Sequence, residues 1–548
     1  MRTLIAFLAI AVFPVFGPAG DGPEPAVKSP ASLQAAIASV LKKVTPSVVC
    51  IWHGKSPRSN LSGVIVSEDG LIITAGHIHC KVGEAVEINL PGKKRVDGKV
   101  LAKLKESDLA LVQITERGAW PAVEVGASAT ITDLDPLLAL GFGDTGLSGS
   151  YSTEPPCYAR LGYRREPLLR YKDGLLPTTV PAKGGDSGSP LFDLTGSLVG
   201  ICSAGEADGT DASYVPSAVL LRAWRDLAGE RPGPARSSAR RPIVETVEAA
   251  TAKGVRALRP SVVEIWSDER WAGVGVYVGD GFIVTKASEL GRQLSVVLRN
   301  DVVAGVDVSA NDPARDLALL KLWNPDFADA ITPVAWADVK DLPAGTILAA
   351  VTPPAFTPPT GVTCVSARSI PPLPGCLPIQ VKDAEGGVEV TGRFDWLMRW
   401  LRPPPFPLQE GDVITKVAGL PVQNREAFIK LMSRPAVGDH PRVMGEVVLV
   451  TYRRKGKRND VPIHLREQHT VASQRVRPCS YRYSGFPAAI ASDLAARPEH
   501  CGAPVVDADG RVVGLLIAHA PFIESLILPS AAVKTSVEAM RQSATAKK

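Results

Sequence analysis

Several features that would place this chain in a common class are scarce or missing. Aromatic residues make up 6 % of the 548 positions, and the 61 Lys and Arg exceed the 56 Asp and Glu by a net charge of only +5. No basic run is interleaved with aromatics, so the footprint of a nucleic-acid-binding protein is absent. The eight cysteines (Cys50, Cys80, Cys157, Cys202, Cys364, Cys376, Cys479 and Cys501) include no Cys-x-x-Cys pair. Zinc-ribbon and thioredoxin-type readings therefore have little to stand on, and no metal or other cofactor is expected. One apolar run occurs, Leu4 to Phe16, after Arg2 and before the small residues Gly17, Ala19 and Gly20. It falls short of the about 20 residues that a membrane-spanning helix needs. Its layout is that of a secretory signal over residues 1–20. The expectation is an exported chain, periplasmic or extracellular, with no membrane span once the signal is removed.

Glycine (49) and proline (47) are plentiful. They favour many turns and short strands. Segments such as "SVVCIW", "SGVIVS", "LIITAG" and "LALVQI" are β-branched, short and bounded by Gly, Asp or Ser. Many such strands at close spacing suggest a sandwich or barrel.

The chain repeats itself. "TPSVVCIWHG" at 45–54 matches "RPSVVEIWSD" at 259–268, and "GVIVSEDGLIITAGHI" at 63–78 matches "GVYVGDGFIVTKASEL" at 275–290. "KESDLALVQI" at 105–114 matches "DPARDLALLKL" at 312–322, and "GDSGSPLFDLTGSLVGI" at 185–201 matches "HCGAPVVDADGRVVGLL" at 500–516. Pro46 thus aligns with Pro260, His77 with Ser288, Asp108 with Asp316 and Ser187 with Cys501. The offset is nearly constant and then jumps by about a hundred residues, the size of a small inserted domain. A Pro-, Gly-, Arg- and Ser-rich stretch within 229–245 reads as the linker between the copies.

The first copy carries a constellation suited to acyl transfer. A serine hydroxyl needs a base, a histidine base needs a carboxylate to orient it, and the oxyanion needs backbone N–H donors. His77 closes "LIITAG", Asp108 opens "DLALVQI", and Ser187 lies in "GGDSGSP", where Gly185 allows the turn. The N–H groups of Gly185 and Ser187 are the candidate oxyanion hole.

These three motifs, in this order, resemble the trypsin-like (chymotrypsin-fold) serine proteases of the Deg/HtrA type. The resemblance covers most of residues 32–228 and implies His77 as general base, Asp108 as orienter and Ser187 as nucleophile. It also implies that Ser203, Ala204 and Gly205 line a specificity pocket based at Pro181, where no carboxylate stands. Small or aliphatic side chains are then expected at the cleavage site. Ala75 replaces an Asn of the family pattern and Ser189 a Gly, and the stretch from Gly143 to Pro181 is unusually Arg-rich.

The second copy reads as disarmed. Ser288 stands at the histidine position, Asp316 remains, Cys501 replaces the nucleophile and Glu499 replaces the oxyanion glycine. Ser288 cannot act as a base at neutral pH. The expectation is a cysteine that is buried or disulfide-bonded, with Cys479 as a partner to consider. The inserted segment, 371–467, resembles a PDZ domain of the same protease family. That resemblance implies a carboxylate-binding loop at Gly375, Cys376 and Leu377, with a peptide adding as a strand beside "PIQV".

The expected architecture is mainly β: two trypsin-like double β-barrel domains, at 32–228 and at 246–370 with 468–543, plus a PDZ domain inserted in the second. The expected partners are protein or peptide substrates, with peptide C-termini at the PDZ domain and no nucleic acid. The second copy is expected to serve as a built-in partner surface for the first, standing in for the neighbouring subunit of a homo-oligomer. A non-catalytic, peptide-binding or chaperone-like scaffold is the alternative.

Overall fold

A computed structural model describes residues 29–53, 59–92, 94–143, 156–165, 174–205, 211–228, 235–236, 246–298, 302–372, 375–377, 379–393, 407–433, 447–467, 479–520 and 524–546. The signal segment, nearly all of the linker and the two insert tryptophans, Trp396 and Trp400, lie outside these residues. Among the described residues no helix is long and apolar enough to cross a membrane.

The first copy is built from β1 Val48–His53, β2 Ser59–Ile65, β3 Leu71–Ala75, β4 Ala85–Leu90, β5 Lys94–Leu104 and β6 Leu109–Ile114, followed by β7 Pro136–Gly141, β8 Tyr158–Tyr163, β9 Leu176–Thr178, β10 Pro190–Phe192, β11 Leu198–Gly205 and β12 Ala212–Pro216. β1 to β6 close into a barrel in the order β1-β2-β3-β6-β5-β4. β7 to β12 form a six-stranded sheet, β8-β7-β10-β11-β12-β9. A bridge between Arg164 and Thr178 draws its two edges together. Val, Ile and Leu fill the barrel interiors because successive side chains of a strand face opposite sides of the sheet. Strands buried on both faces, such as "VVCIWH" in β1, read as continuous apolar runs.

The second copy repeats the plan. The strands Val262–Ser267, Arg270–Gly279, Phe282–Lys286, Leu317–Leu322, Val303–Asp312 and Leu294–Val297 close in the same order as β1 to β6. Ile347–Ala350, Thr360–Ile370, Phe486–Ser492, Ser525–Pro529, Val512–His519 and Pro504–Asp507 close a second barrel. The insert leaves after Ile370 and returns before Phe486. It forms its own sheet, in the order Ile379–Ala384, Gly387–Arg393, Val413–Val417, Val447–Arg454, Lys457–His464. The helix Arg425–Ser433 is capped by Asn424, whose Oδ1 accepts from the Ala427 N–H at 2.8 Å. The insert buries a separate core that includes Val388, Ile414, Phe428 and Val450.

The two copies share a seam. A helix, Pro30–Val44, starts on a capping box made by Ser29 and Ser32 and buries Leu33, Ile37, Val40 and Leu41. Its Gln34 reaches the second copy, accepting from Ile347 N at 2.8 Å and donating to Gly345 O at 3.0 Å. Asp493 of the second copy accepts from Leu161 N of β8 at 2.7 Å and from Val362 N at 2.6 Å. Burial pushes the Asp493 carboxyl up to about 6, with the two N–H donors pulling the other way.

Candidate active site

The register of the first barrel brings the base and its orienter together. β3 and β6 pair Ala75 with Leu109, so His77, two residues past Ala75, meets Asp108, one residue before Leu109. Asp108 takes a left-handed backbone, φ 48°, a conformation that Asp tolerates better than most side chains. Its Oδ1 accepts from the His77 backbone N–H at 2.9 Å, and both carboxylate oxygens lie 3.0 Å from His77 Nδ1. Ser203 Oγ donates to Asp108 Oδ2 at 2.6 Å. Burial alone raises this carboxyl, but the hydrogen bonds from His77 and Ser203 outweigh it and hold the group below its ordinary value. The His77 loop is clamped from the other side, where Lys103 Nζ donates to Ile78 O at 2.6 Å and Cys80 O at 3.2 Å. His79 turns toward His53, with ring centroids 5.7 Å apart. Among the described residues no three His, Cys, Asp or Glu converge to hold a metal.

The nucleophile turn joins β9 to β10. Gly185 (φ 88°) and Gly188 (φ 82°) both sit where L-residues are strained. At Gly188 a Cβ would also lie 2.2 Å from Ser62 O and 2.9 Å from Ala75 N, so this turn packs directly on β2 and on the end of β3, two residues before His77. Ser187 is half-buried and its carbonyl accepts from Ser62 N at 2.9 Å. The Gly188 N–H is spent on Cys202 O (2.8 Å) and the Asp186 N–H on Lys183 O (3.0 Å). Among the described residues the N–H groups of Gly185 and Ser187 have no acceptor. They are two adjacent unspent donors beside one hydroxyl, the arrangement that an oxyanion needs. No hydrogen bond joins His77 to Ser187; in unliganded enzymes such bonds are often long and tighten when substrate binds.

Asp186 faces away from Ser187 and is fully buried. Its Oδ2 accepts from Arg160 of β8 at 2.6 Å and from Lys183 N at 2.9 Å. Burial penalises the Arg160 cation, yet Asp186 more than offsets this and raises its pKa. The Arg-rich stretch thus supplies the counterion of the turn. Ser62 is a second support, one that no motif marks. Its Oγ donates to Gly185 O at 2.9 Å and accepts from Phe142 N at 2.8 Å. This fixes the Gly185 carbonyl pointing inward. The repeat held a signal for it, because Ser62 aligns with Val274 of the disarmed copy. We expect Ser62→Ala to lower kcat about 10- to 100-fold with KM little changed, the value of one lost buried hydrogen bond. Steady-state kinetics on a peptide substrate check this.

The remaining expected positions fall in three places. Ser203 was expected in a pocket wall, but its hydroxyl is directed at Asp108. Ala204 and Gly205 are exposed, with Gly205 set against Ala182, whose O lies 3.1 Å from a Cβ built on Gly205. Pro181 is buried and lines a cavity of about 310 Å³ shared with the second copy, together with Leu161, Tyr163, Asp493 and His519. In the insert, Gly375 and Cys376 pair with Glu467 and Arg466 as a short two-stranded ladder, so the expected carboxylate loop is partly strand. Leu377 is buried in the insert core.

The second copy keeps the frame with other residues at the corresponding positions. Lys286 pairs with Leu317 just as Ala75 pairs with Leu109, and Asp316 (φ 58°) accepts from Ser288 N at 2.9 Å. Ser288 Oγ also donates to Asp316 Oδ2, at 2.8 Å, and buried Lys286 pairs with the same oxygen. The carboxylate is thus saturated by a hydroxyl and an ammonium where the first copy has an imidazole. At the turn, Pro498–His500 form a 3-10 helix and the Cys501 N–H is consumed by Pro498 O at 3.0 Å. Glu499 cannot take the left-handed backbone of Gly185 without strain, so the oxyanion site is closed.

Cys501 is a buried thiol 3.3 Å from Ser480 Oγ, with burial pushing it up to about 12. Cys501 is a thiol, so the disulfide considered with Cys479 is not formed. Iodoacetamide should leave Cys501 unmodified in the native protein at pH 8 and modify it after denaturation, as read by peptide mass mapping.

Residues 61–201 match the trypsin-like peptidase domain family, so the chain contains a trypsin-like peptidase domain. Over 185 residues, 32 % of this chain and 38 % of the relative, it is 31 % identical to serine protease HTRA4 of Homo sapiens. It is 28 % identical over 177 residues to serine protease HTRA1 of Xenopus laevis (30 % of this chain, 37 % of the relative). It is 30 % identical over 212 residues to mitochondrial serine protease HTRA2 of Bos taurus (35 % and 45 %). The chain spans less than half the length of these relatives, and the likeness supports a serine protease of the HtrA type.

Proposed function

We propose that the chain is an exported serine endopeptidase that cleaves peptide bonds through an acyl-enzyme on Ser187. The observation that carries this is the pair of unspent N–H groups at Gly185 and Ser187, on a turn packed against the strand leading to the His77–Asp108 pair. In the reaction, Ser187 Oγ attacks the scissile carbonyl and its proton passes to His77 Nε2. The carbonyl oxygen becomes an oxyanion held by the two N–H groups. The amine leaves with the proton from His77, and water then cleaves the ester by the same route in reverse. Asp108 holds the imidazole tautomer and stabilises its cation. No cofactor enters this mechanism.

The second copy is a non-catalytic trypsin-like double barrel in this reading, and the insert is a PDZ domain for peptide C-termini. Ile379–Ala384 is the outer strand of the insert sheet, beside the helix Arg425–Ser433, and an added peptide strand could pair there. Envelope protein quality control suits an exported protease with a peptide-recognition domain.

The competing reading is a non-catalytic peptide-binding scaffold, favoured by the unformed bond between His77 and Ser187. Hydrolysis of an unfolded protein by the purified chain, abolished by a fluorophosphonate, supports the protease. Protection of unfolded clients with no hydrolysis, even with a C-terminal peptide added, supports the scaffold.

A further inference from the structure

The two copies meet through charge at one point beside the nucleophile. Lys183 lies four residues before Ser187, and two backbone bonds tie it to Asp186: its N–H donates to Asp186 Oδ2 (2.9 Å) and its carbonyl accepts from Asp186 N (3.0 Å). Its side chain, 1 % exposed, leaves the turn and passes over the Tyr158 ring at 4.8 Å. It ends 3.8 Å from Oε2 of Glu524, itself 3 % exposed, at the edge of the second copy's Ser525–Pro529 strand. Arg368, also of the second copy, lies 3.9 Å from Glu524 Oε1 and donates to Tyr158 Oη at 2.8 Å.

A buried ammonium needs a counterion, because an unpaired buried charge costs far more than a paired one. Glu524 supplies a buried counterion for Lys183 from across the seam, and Lys183 is part of the turn that presents Gly185 and Ser187. The disarmed turn offers an internal comparison. Arg497 aligns with Lys183 and Arg497 N meets His500 Nδ1 at 3.2 Å, as Lys183 N meets Asp186. Arg497 is exposed, among the described residues it forms no ion pair across the seam, and that turn is a 3-10 helix.

We propose that Glu524 of the second copy is a positioning residue for the first copy's nucleophile turn. By holding Lys183 it keeps the Gly185 and Ser187 N–H groups turned toward the substrate. The inference rests on the protease reading for its effect on rate, but not for its effect on the turn. The disarmed copy thereby completes the active site within one chain, through a single acid.

The test compares the full chain with Glu524→Gln, Lys183→Met, the double variant and Gln34→Ala. Gln34 bridges the same seam through Gly345 and Ile347, far in sequence from the turn. Two quantities are read: the second-order rate of fluorophosphonate labelling, and hydrogen exchange of peptides covering 182–192. We expect Glu524→Gln and Lys183→Met each to slow labelling about 10-fold or more and to speed exchange at the turn. The double variant should be no worse than either single one, and Gln34→Ala should match wild type in both readouts. Wild-type labelling and exchange in Glu524→Gln overturns the proposal, as does equal slowing by Gln34→Ala. If the wild type does not label at all, the protease reading fails, while the exchange comparison still decides whether Glu524 sets the turn.

Discussion

Ser187→Ala is expected to lower peptide hydrolysis by roughly 10⁴- to 10⁶-fold, the range that loss of a nucleophile causes in enzymes whose triad acts as a unit. The residual rate should equal that of the protein with His77 also replaced, because base and nucleophile work on one proton. Thermal stability should change little, since Ser187 is half-buried and among the described residues its hydroxyl has no partner. The mirror substitution, Cys501→Ala, should leave hydrolysis unchanged. Its N–H is already consumed by Pro498, and Ser288, which stands at the histidine position, is no base. Assays of all four proteins on one unfolded substrate check these outcomes together. Loss of activity in Cys501→Ala would move the chemistry to the wrong copy.

Asp108→Asn should cost about 10⁴-fold in kcat. Asp108 serves three donors at once: the His77 backbone, the His77 ring and Ser203. An amide offers one acceptor oxygen and two N–H groups, so it forces the imidazole into the wrong tautomer or leaves a donor facing a donor. The pH behaviour follows from the same contacts. The folded carboxyl is held below its ordinary value, so the stability it lends is present above the unfolded value. That stability disappears only as the pH falls through the lowered folded value. Loss of activity at mildly acidic pH should therefore not come from Asp108. The contrary sign would be an unfolding transition in mild acid that disappears in Asp108→Asn.

The parts of this molecule that were legible in the sequence are those set by local chemistry. Strands announced themselves through β-branched runs between turn residues, and the repeat aligned Asp108 with Asp316 at two positions that share a left-handed backbone. What was not legible depends on partners far away in the chain. The role of Ser62 requires knowing that β2 lies under the Gly185 carbonyl, and that of Arg160 that β8 faces the nucleophile turn. Ser203 lies on β11 where the pattern placed it, but side-chain direction at a strand end is a tertiary matter, and its hydroxyl went to the carboxylate. The ladder at Gly375–Cys376 is likewise made by a strand some ninety residues later, which no local signal in "PGCLPIQV" reveals. The seam carboxylates Asp493 and Glu524 carry no motif, and their contacts with the first copy are ones that only the fold brings together.

Gly185 and Glu499 occupy the same place in the same fold, within one chain. One allows a left-handed turn with free donors, and the other enforces a 3-10 turn that spends the Cys501 N–H on Pro498. At that position the second copy has no left-handed residue, and the N–H two residues on is already bonded, whatever the state of the cysteine. The carboxylate alone, by contrast, marks nothing: Asp316 keeps its hydrogen bond to the following loop although no imidazole remains to be oriented.

The measurement that bears most directly on a formed triad is mass mapping of the adduct left by a fluorophosphonate on the purified full-length chain. One adduct per molecule, on Ser187, is the predicted result, since among the described residues only there do a hydroxyl, the His77–Asp108 pair and two unspent N–H groups come together. An unmodified chain, or an adduct on any other residue, would contradict a formed catalytic site in the first copy.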